Sequence, residues 1–139
     1  MKPYAILLRL LGVLVCLSSP CADADSPQET YEQYLATVIK ATRLRDVFPY
    51  LTRERIETIE FGLKKAADQG VDPVQVENFT LGLLKTGAKD KARFRELVIE
   101  EDASVVVERK DVTVEVLMVL VDGSWKIADE RMVRIPNFD

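Results

Sequence analysis

The chain of 139 residues contains no histidine. That absence removes the side chain that most readily moves protons near neutral pH, and it excludes paired-histidine metal motifs. Its two cysteines, Cys16 and Cys21, both lie in the first 24 residues. If those residues are removed, what remains has no thiol, no disulfide and no thiolate metal site, and it must hold together by packing alone. No basic excess is present either. The 19 lysines and arginines are outnumbered by 23 aspartates and glutamates, with the signs interleaved, a balance that speaks against nucleic acid as a partner. There is no phosphate-binding glycine loop, no serine-nucleophile motif, no internal repeat and no low-complexity tract. No catalytic signature, metal site or cofactor is therefore expected.

The amino-terminal segment has the layout of an export signal. Lys2 and Arg9 precede the apolar stretch 10–17, and Ala22-Asp23-Ala24 supplies the small residues of a cleavage site. The stretch is shorter than the roughly 20 apolar residues a membrane-spanning helix needs. Cys16 follows Val15 and Cys21 follows Pro20, whereas acylation of a mature amino-terminal cysteine calls for a small residue before it. The expectation is a signal peptide over 1–24, cleavage near Ala24, and a periplasmic or secreted domain over 25–139 with no stable membrane anchor. Without Lys2, Arg9 and Asp23 the net charge moves from −4 to −5. The remaining length suits one domain with its own core.

Residues 26–88 read as three helices. Ser26-Pro27-Gln28-Glu29 combines a cap, a first-turn proline and a capping-box glutamate. Tyr31, Tyr34, Leu35, Val38 and Thr42 then follow at helical spacing, and the helix is expected to give out near Arg45, ahead of Phe48-Pro49. Thr52 is the next cap, Ile56, Ile59, Leu63 and the Ala66-Ala67 pair form a second apolar face, and Gly70 ends it. Asp72-Pro73 restarts a helix whose buried stripe is expected at Val76, Phe79 and Leu83, with Gly87 closing it. Gly82 inside that helix costs up to about 1 kcal/mol relative to alanine, and it marks either a close approach by another backbone or nothing in particular.

Beyond a polar connector the composition turns β-branched. Four strands are expected over 94–100, 103–109, 112–121 and 124–134, with turns at Glu101-Asp102, Lys110-Asp111 and, most clearly, Asp122-Gly123, whose residues tolerate the positive φ of a type I′ turn. The third strand should be central and covered on both faces at its turn end. The fold class is α+β: three amino-terminal helices packed on a curved four-stranded antiparallel sheet.

This order, the aromatic opening helix and the closing Val121-Asp122-Gly123-Ser124-Trp125-Lys126-Ile127 give a chain that resembles the nuclear transport factor 2-like superfamily, the cystatin-like α+β roll, and in particular its secreted bacterial members of unknown function. The resemblance covers nearly all of residues 25–139. It implies a cone-like roll in which the sheet wraps around the first helix and leaves a mouth that serves as a pocket. Enzymes of this superfamily, among them ketosteroid isomerase and scytalone dehydratase, line that cone with acids and bases. The lack of histidine departs from the dehydratase pattern.

Strand alternation from Trp125 and Ile127 places Asp129 and Arg131 on the same inward side. Together with Tyr31 and Tyr34 they make a candidate ligand pocket of Tyr31, Tyr34, Trp125, Asp129 and Arg131. The plainer account has Asp129 and Arg131 as a solvated pair and the tyrosines as core aromatics. The arginines 43, 45, 53 and 55, diluted by Asp46, Glu54 and Glu57, read as a salt-bridged corner. The run Glu100-Glu101-Asp102 lacks the spaced ligands and the glycine of a calcium loop. Asn78-Phe79-Thr80 is a formal glycosylation sequon inside a helix. Three readings follow: a noncatalytic binding domain with a small apolar or amphipathic ligand in the cone, a homodimer or envelope-partner interaction protein working through its sheet face, and an isomerase- or dehydratase-like enzyme with Asp129 as base.

Overall fold

A computed structural model of the chain describes residues 25–134; the expected signal segment lies outside them. The first helix, α1 (Pro27–Lys40), forms as its sequence requires. Ser26 Oγ accepts the Glu29 N–H at 3.1 Å, and the Glu29 carboxylate accepts the Ser26 N–H at 3.2 Å, closing the capping box. The helix stops at Lys40, earlier than expected, because Ala41 turns extended and Asp46 draws the backbone N–H groups of Thr42 and Arg43 onto one carboxylate oxygen at 2.9 and 3.0 Å. A 3₁₀ segment, Leu44–Tyr50, follows with Pro49 inside it, a helical element the periodicity did not indicate. Leu44 and Val47 dip from it into the core.

Helix α2 (Arg53–Asp68) begins on Thr52, whose hydroxyl accepts the Arg55 N–H. Gly70, at φ +78°, ends it in a Schellman arrangement: its N–H bonds to Ala67 and that of Val71 to Ala66. Asp72 then caps α3 (Pro73–Ala88). The buried stripe of α3 lies elsewhere than expected. Phe79 and Leu83 are 69% and 60% exposed, while Leu81 is buried and Glu77, Leu84 and Ala88 are partly covered. The apolar face is rotated because Glu77 faces inward, its carboxylate accepting from Arg43 Nε at 3.0 Å and from the Leu44 N–H at 2.9 Å. Gly82 faces open space rather than another backbone, and Gly87 falls inside the helix, which runs one residue further. No described helix is long and apolar enough to cross a membrane.

Four strands, β1 (Arg93–Ile99), β2 (Asp102–Glu108), β3 (Thr113–Val121) and β4 (Ser124–Arg134), pair in sequence order as an antiparallel sheet that does not close on itself. Asp122 (φ 51°) and Gly123 (φ 79°) make the β3–β4 turn. β3 is central, but its outer face stays open, with Val121 43% exposed. The inner face supplies Ala103, Val105, Val107, Val116, Met118, Trp125 and Ile127, which pack with Tyr31, Tyr34 and Val38 of α1.

The ladder between β3 and β4 positions the site. Met118 pairs with Ile127 and Leu117 with Asp129, leaving Ala128 as an extra residue in β4. Asp129 Oδ1 accepts the Glu130 N–H at 2.9 Å, and the Ile127 carbonyl accepts the Thr52 N–H at 3.0 Å. The chain leading into α2 thus lies along β4 where the strand is bulged.

Candidate functional site

The extra residue at Ala128 reverses the alternation that placed Asp129 and Arg131 inward. Asp129 pairs with outward Leu117, its side chain 53% exposed and 3.3 Å from Arg55 Nη1. Arg131 pairs with outward Glu115, its side chain 58% exposed, with its Nη2 2.7 Å from the Glu115 carboxylate. Neither is in the lining of the two cavities described below, and Asp129 is not placed to act as a base in them. The inward position falls to Glu130, opposite fully buried Val116. Sequence reasoning passed over this residue because a single inserted residue changes side-chain facing without changing composition.

Glu130 lies against α1. Tyr31 and Tyr34, one helical turn apart, have ring centroids 5.5 Å apart and are 3% and 5% exposed. Phe94 meets the Tyr31 ring edge-on at 6.4 Å, and Tyr50 meets Tyr34 in the same way at 6.0 Å, so both phenols are held by packing. The Thr37 hydroxyl, 3.1 Å away, fixes Tyr50 in turn. Two cavities adjoin here, and Tyr34, Leu84 and Glu130 line both. One, of about 120 Å³, is bounded by Tyr31, Leu35, Val38, Val114 and Arg109. The other, of about 130 Å³, is bounded by Leu44, Val47, Leu51, Ile59, Ile127 and Arg55.

The electrostatics follow from this enclosure. Burial pushes the Glu130 carboxyl above the usual carboxylate range; Arg55 and Arg109 pull against it, and Asp129 adds to the rise. Burial likewise pushes the Tyr31 phenol up, with Glu130 acting in the same direction and Arg109 against it. Tyr34 is raised by burial and then by Glu130. Both phenols are neutral hydrogen-bond donors over the physiological range. Arg109, in the β2–β3 connection, buries its Nε without a hydrogen-bond partner among the described residues, which leaves a charged donor beside the cavity.

The site therefore offers two phenolic hydroxyls and a guanidinium as donors, a carboxyl whose protonation is shifted toward neutral pH, and walls of Leu35, Val38, Leu84 and Val114. Such a set suits a ligand with an acceptor oxygen on an apolar body. Of the residues singled out from sequence, Tyr31 and Tyr34 meet here. Trp125 is buried, but it lines a separate concavity of about 260 Å³ near the β3–β4 turn, with Thr30, Tyr50 and Lys126. The arginine corner resolves into pairs of Arg43 with Glu77, Arg53 with Glu57, and Arg55 with Asp129. Among the described residues no cluster of carboxylates or thiols is spaced to hold a metal ion. No family model, curated protein or solved structure matches this chain.

Proposed function

We propose that the chain is an exported, noncatalytic binding domain, a cone-like roll of three helices on a curved sheet similar to the nuclear transport factor 2-like superfamily, which holds a small amphipathic molecule between α1 and the sheet. The observation that carries the reading is the convergence of Tyr31, Tyr34, Arg109 and Glu130 on one cavity whose remaining wall is Gly87 and aliphatic side chains. A domain stabilised by packing alone gains nothing from a covered carboxyl whose charge is disfavoured. Binding gives that arrangement a use, because the donors orient a ligand and the aliphatic walls supply the burial. Native mass spectrometry of the domain recovered from its export compartment tests this. A reproducible small-molecule adduct that disappears on denaturation is expected, and preparations that always give the bare mass count against the reading.

A second reading rests on the outer sheet face. Leu97 and Ile99 are 62% and 63% exposed on β1, and half-covered Val106, Leu117 and Val119 continue the patch across β2 and β3. The ion pairs Arg95–Glu108 and Glu115–Arg131 flank it. A patch that carries both signs at its margin is self-complementary, which favours a second copy of the chain over a partner of one charge.

A further inference from the structure

Arg109 belongs to two sites at once. On one side it lines the cavity of Tyr31, Tyr34 and Glu130; on the other it lines an open surface concavity of about 540 Å³ with Lys91, Ala92, Arg93, Glu108 and Lys110. The register explains the grouping: Arg93 pairs with Glu108 at the edge of the sheet, which brings the segment before β1 against the turn after β2. Four of the six lining residues are basic. The one acid, Glu108, is already engaged by Arg95 at 2.6 Å. None of the four cations lies within ion-pair distance of a carboxylate among the described residues. Asp90 and Asp111 are neighbours in sequence but are not part of the lining. In a chain of net charge −4, this is a local concentration of positive charge without direct ion-pair partners, set at the side of the cavity where Arg109 buries an unpartnered Nε.

Resting on the binding reading above, we propose that the ligand is a free single-chain amphiphile with an anionic head, carboxylate or phosphate, which sits in the basic concavity while its apolar chain passes Arg109 into the cavity. The two halves divide the work. Lys91, Arg93 and Lys110 hold the charge where water still reaches it, so the head is not fully desolvated. Arg109 supplies the donor at the threshold, and Leu35, Val38, Leu84 and Val114 take up the chain. Glu130, on the wall shared with the adjoining cavity, meets the apolar part, which agrees with a carboxyl held toward its neutral form.

Isothermal titration calorimetry with octanoate, octyl phosphate and 1-octanol tests this on the purified chain and on a Lys91→Glu/Arg93→Glu/Lys110→Glu variant. Both anions should bind about tenfold more tightly than the alcohol, since several exposed charge contacts of modest strength act together. The triple variant should lose that preference and keep its octanol affinity. On the unmodified chain alone, raising the salt to roughly 0.5 M should erase the preference too, a readout that stands if the variant does not fold. Octanol binding as tight as octanoate, or a folded variant that still prefers the anions, would overturn the head-group assignment while leaving the cavity reading intact. Binding of none of the three probes would overturn both. Adsorption to phosphatidylglycerol vesicles that octanoate does not compete would assign the head group to a membrane lipid and overturn the free ligand.

Discussion

Replacing the neighbours Glu130 and Asp129 by leucine, one at a time, should move stability in opposite directions. Glu130 is largely covered and faces Val116 across the ladder, and its raised carboxyl shows that burial outweighs the attraction of Arg55 and Arg109. A leucine there removes a disfavoured charge and adds apolar burial. Full burial of leucine is worth about 1.5–3 kcal/mol, so at this incompletely covered position a gain of about 1–2 kcal/mol is expected. Leucine at position 129 is exposed and forfeits the Arg55 pair and the acceptor of the Glu130 N–H, a loss of up to about 1 kcal/mol. The two variants should therefore differ by about 1–3 kcal/mol, or roughly 5–15 °C in Tm for a domain of this size. The advantage of Glu130→Leu should also depend on pH. A group whose folded pKa is raised binds more protons folded than unfolded, so stability falls as pH climbs from the ordinary glutamate range to the raised value. The gain over the unmodified chain should grow across that window and be smallest below it. Urea and thermal melts of both variants, in acid and near neutral pH, supply the data. A stabilising leucine at 129 with a destabilising one at 130 would mean that β4 runs without its bulge, and the site built on Glu130 would fall.

Glu77 should matter for the opposite reason. Arg43, and then the Leu44 N–H, hold its carboxyl below the usual range, so its contribution is present above the ordinary glutamate pKa and lost as pH falls through the lowered one. Glu77→Gln should cost about 1–3 kcal/mol near neutral pH, with the difference from the unmodified chain closing in acid; a urea midpoint unchanged at neutral pH would refute it. On the outer sheet face, Val119→Glu should convert a dimer to a monomer in light scattering, and a mass that does not change with the substitution would dismiss that surface as an interface.

Local chemistry made much of the fold legible. The caps at Ser26, Thr52 and Asp72, the stop at Gly70 and the turn at Asp122-Gly123 each act within a few residues, and each forms where the sequence placed it. Reasoning by period failed where a distant group intervened. Phe79 and Leu83 fit a buried stripe by spacing, but Glu77 is drawn inward by Arg43 and Leu44, 33 residues or more away, and it turns α3 with it. The 3₁₀ segment was not legible because it is short, its start is fixed by the Asp46 carboxylate, and its two buried residues, Leu44 and Val47, are too few to show a period.

Half of the candidate site was legible in the same sense. Tyr31 and Tyr34 were readable because helical spacing fixes which residues share a face once the cap sets the helix start. Glu130 and Arg109 were not. A strand's alternation survives only while its pairing is one to one, and Ala128 interrupts that pairing against β3. Arg109 sits in a connection whose neighbours are decided by where β1 and β2 meet.

By itself, then, the sequence determined the class of fold, the order of its elements, and the confinement of both cysteines to the first 24 residues. The tertiary structure alone decided which carboxylate of β4 faces inward and which arginines stand near it. Those choices depend on how the strands pair, from Met118 with Ile127 to Arg93 with Glu108, and on the extra residue at Ala128, which no local signal in the sequence marks.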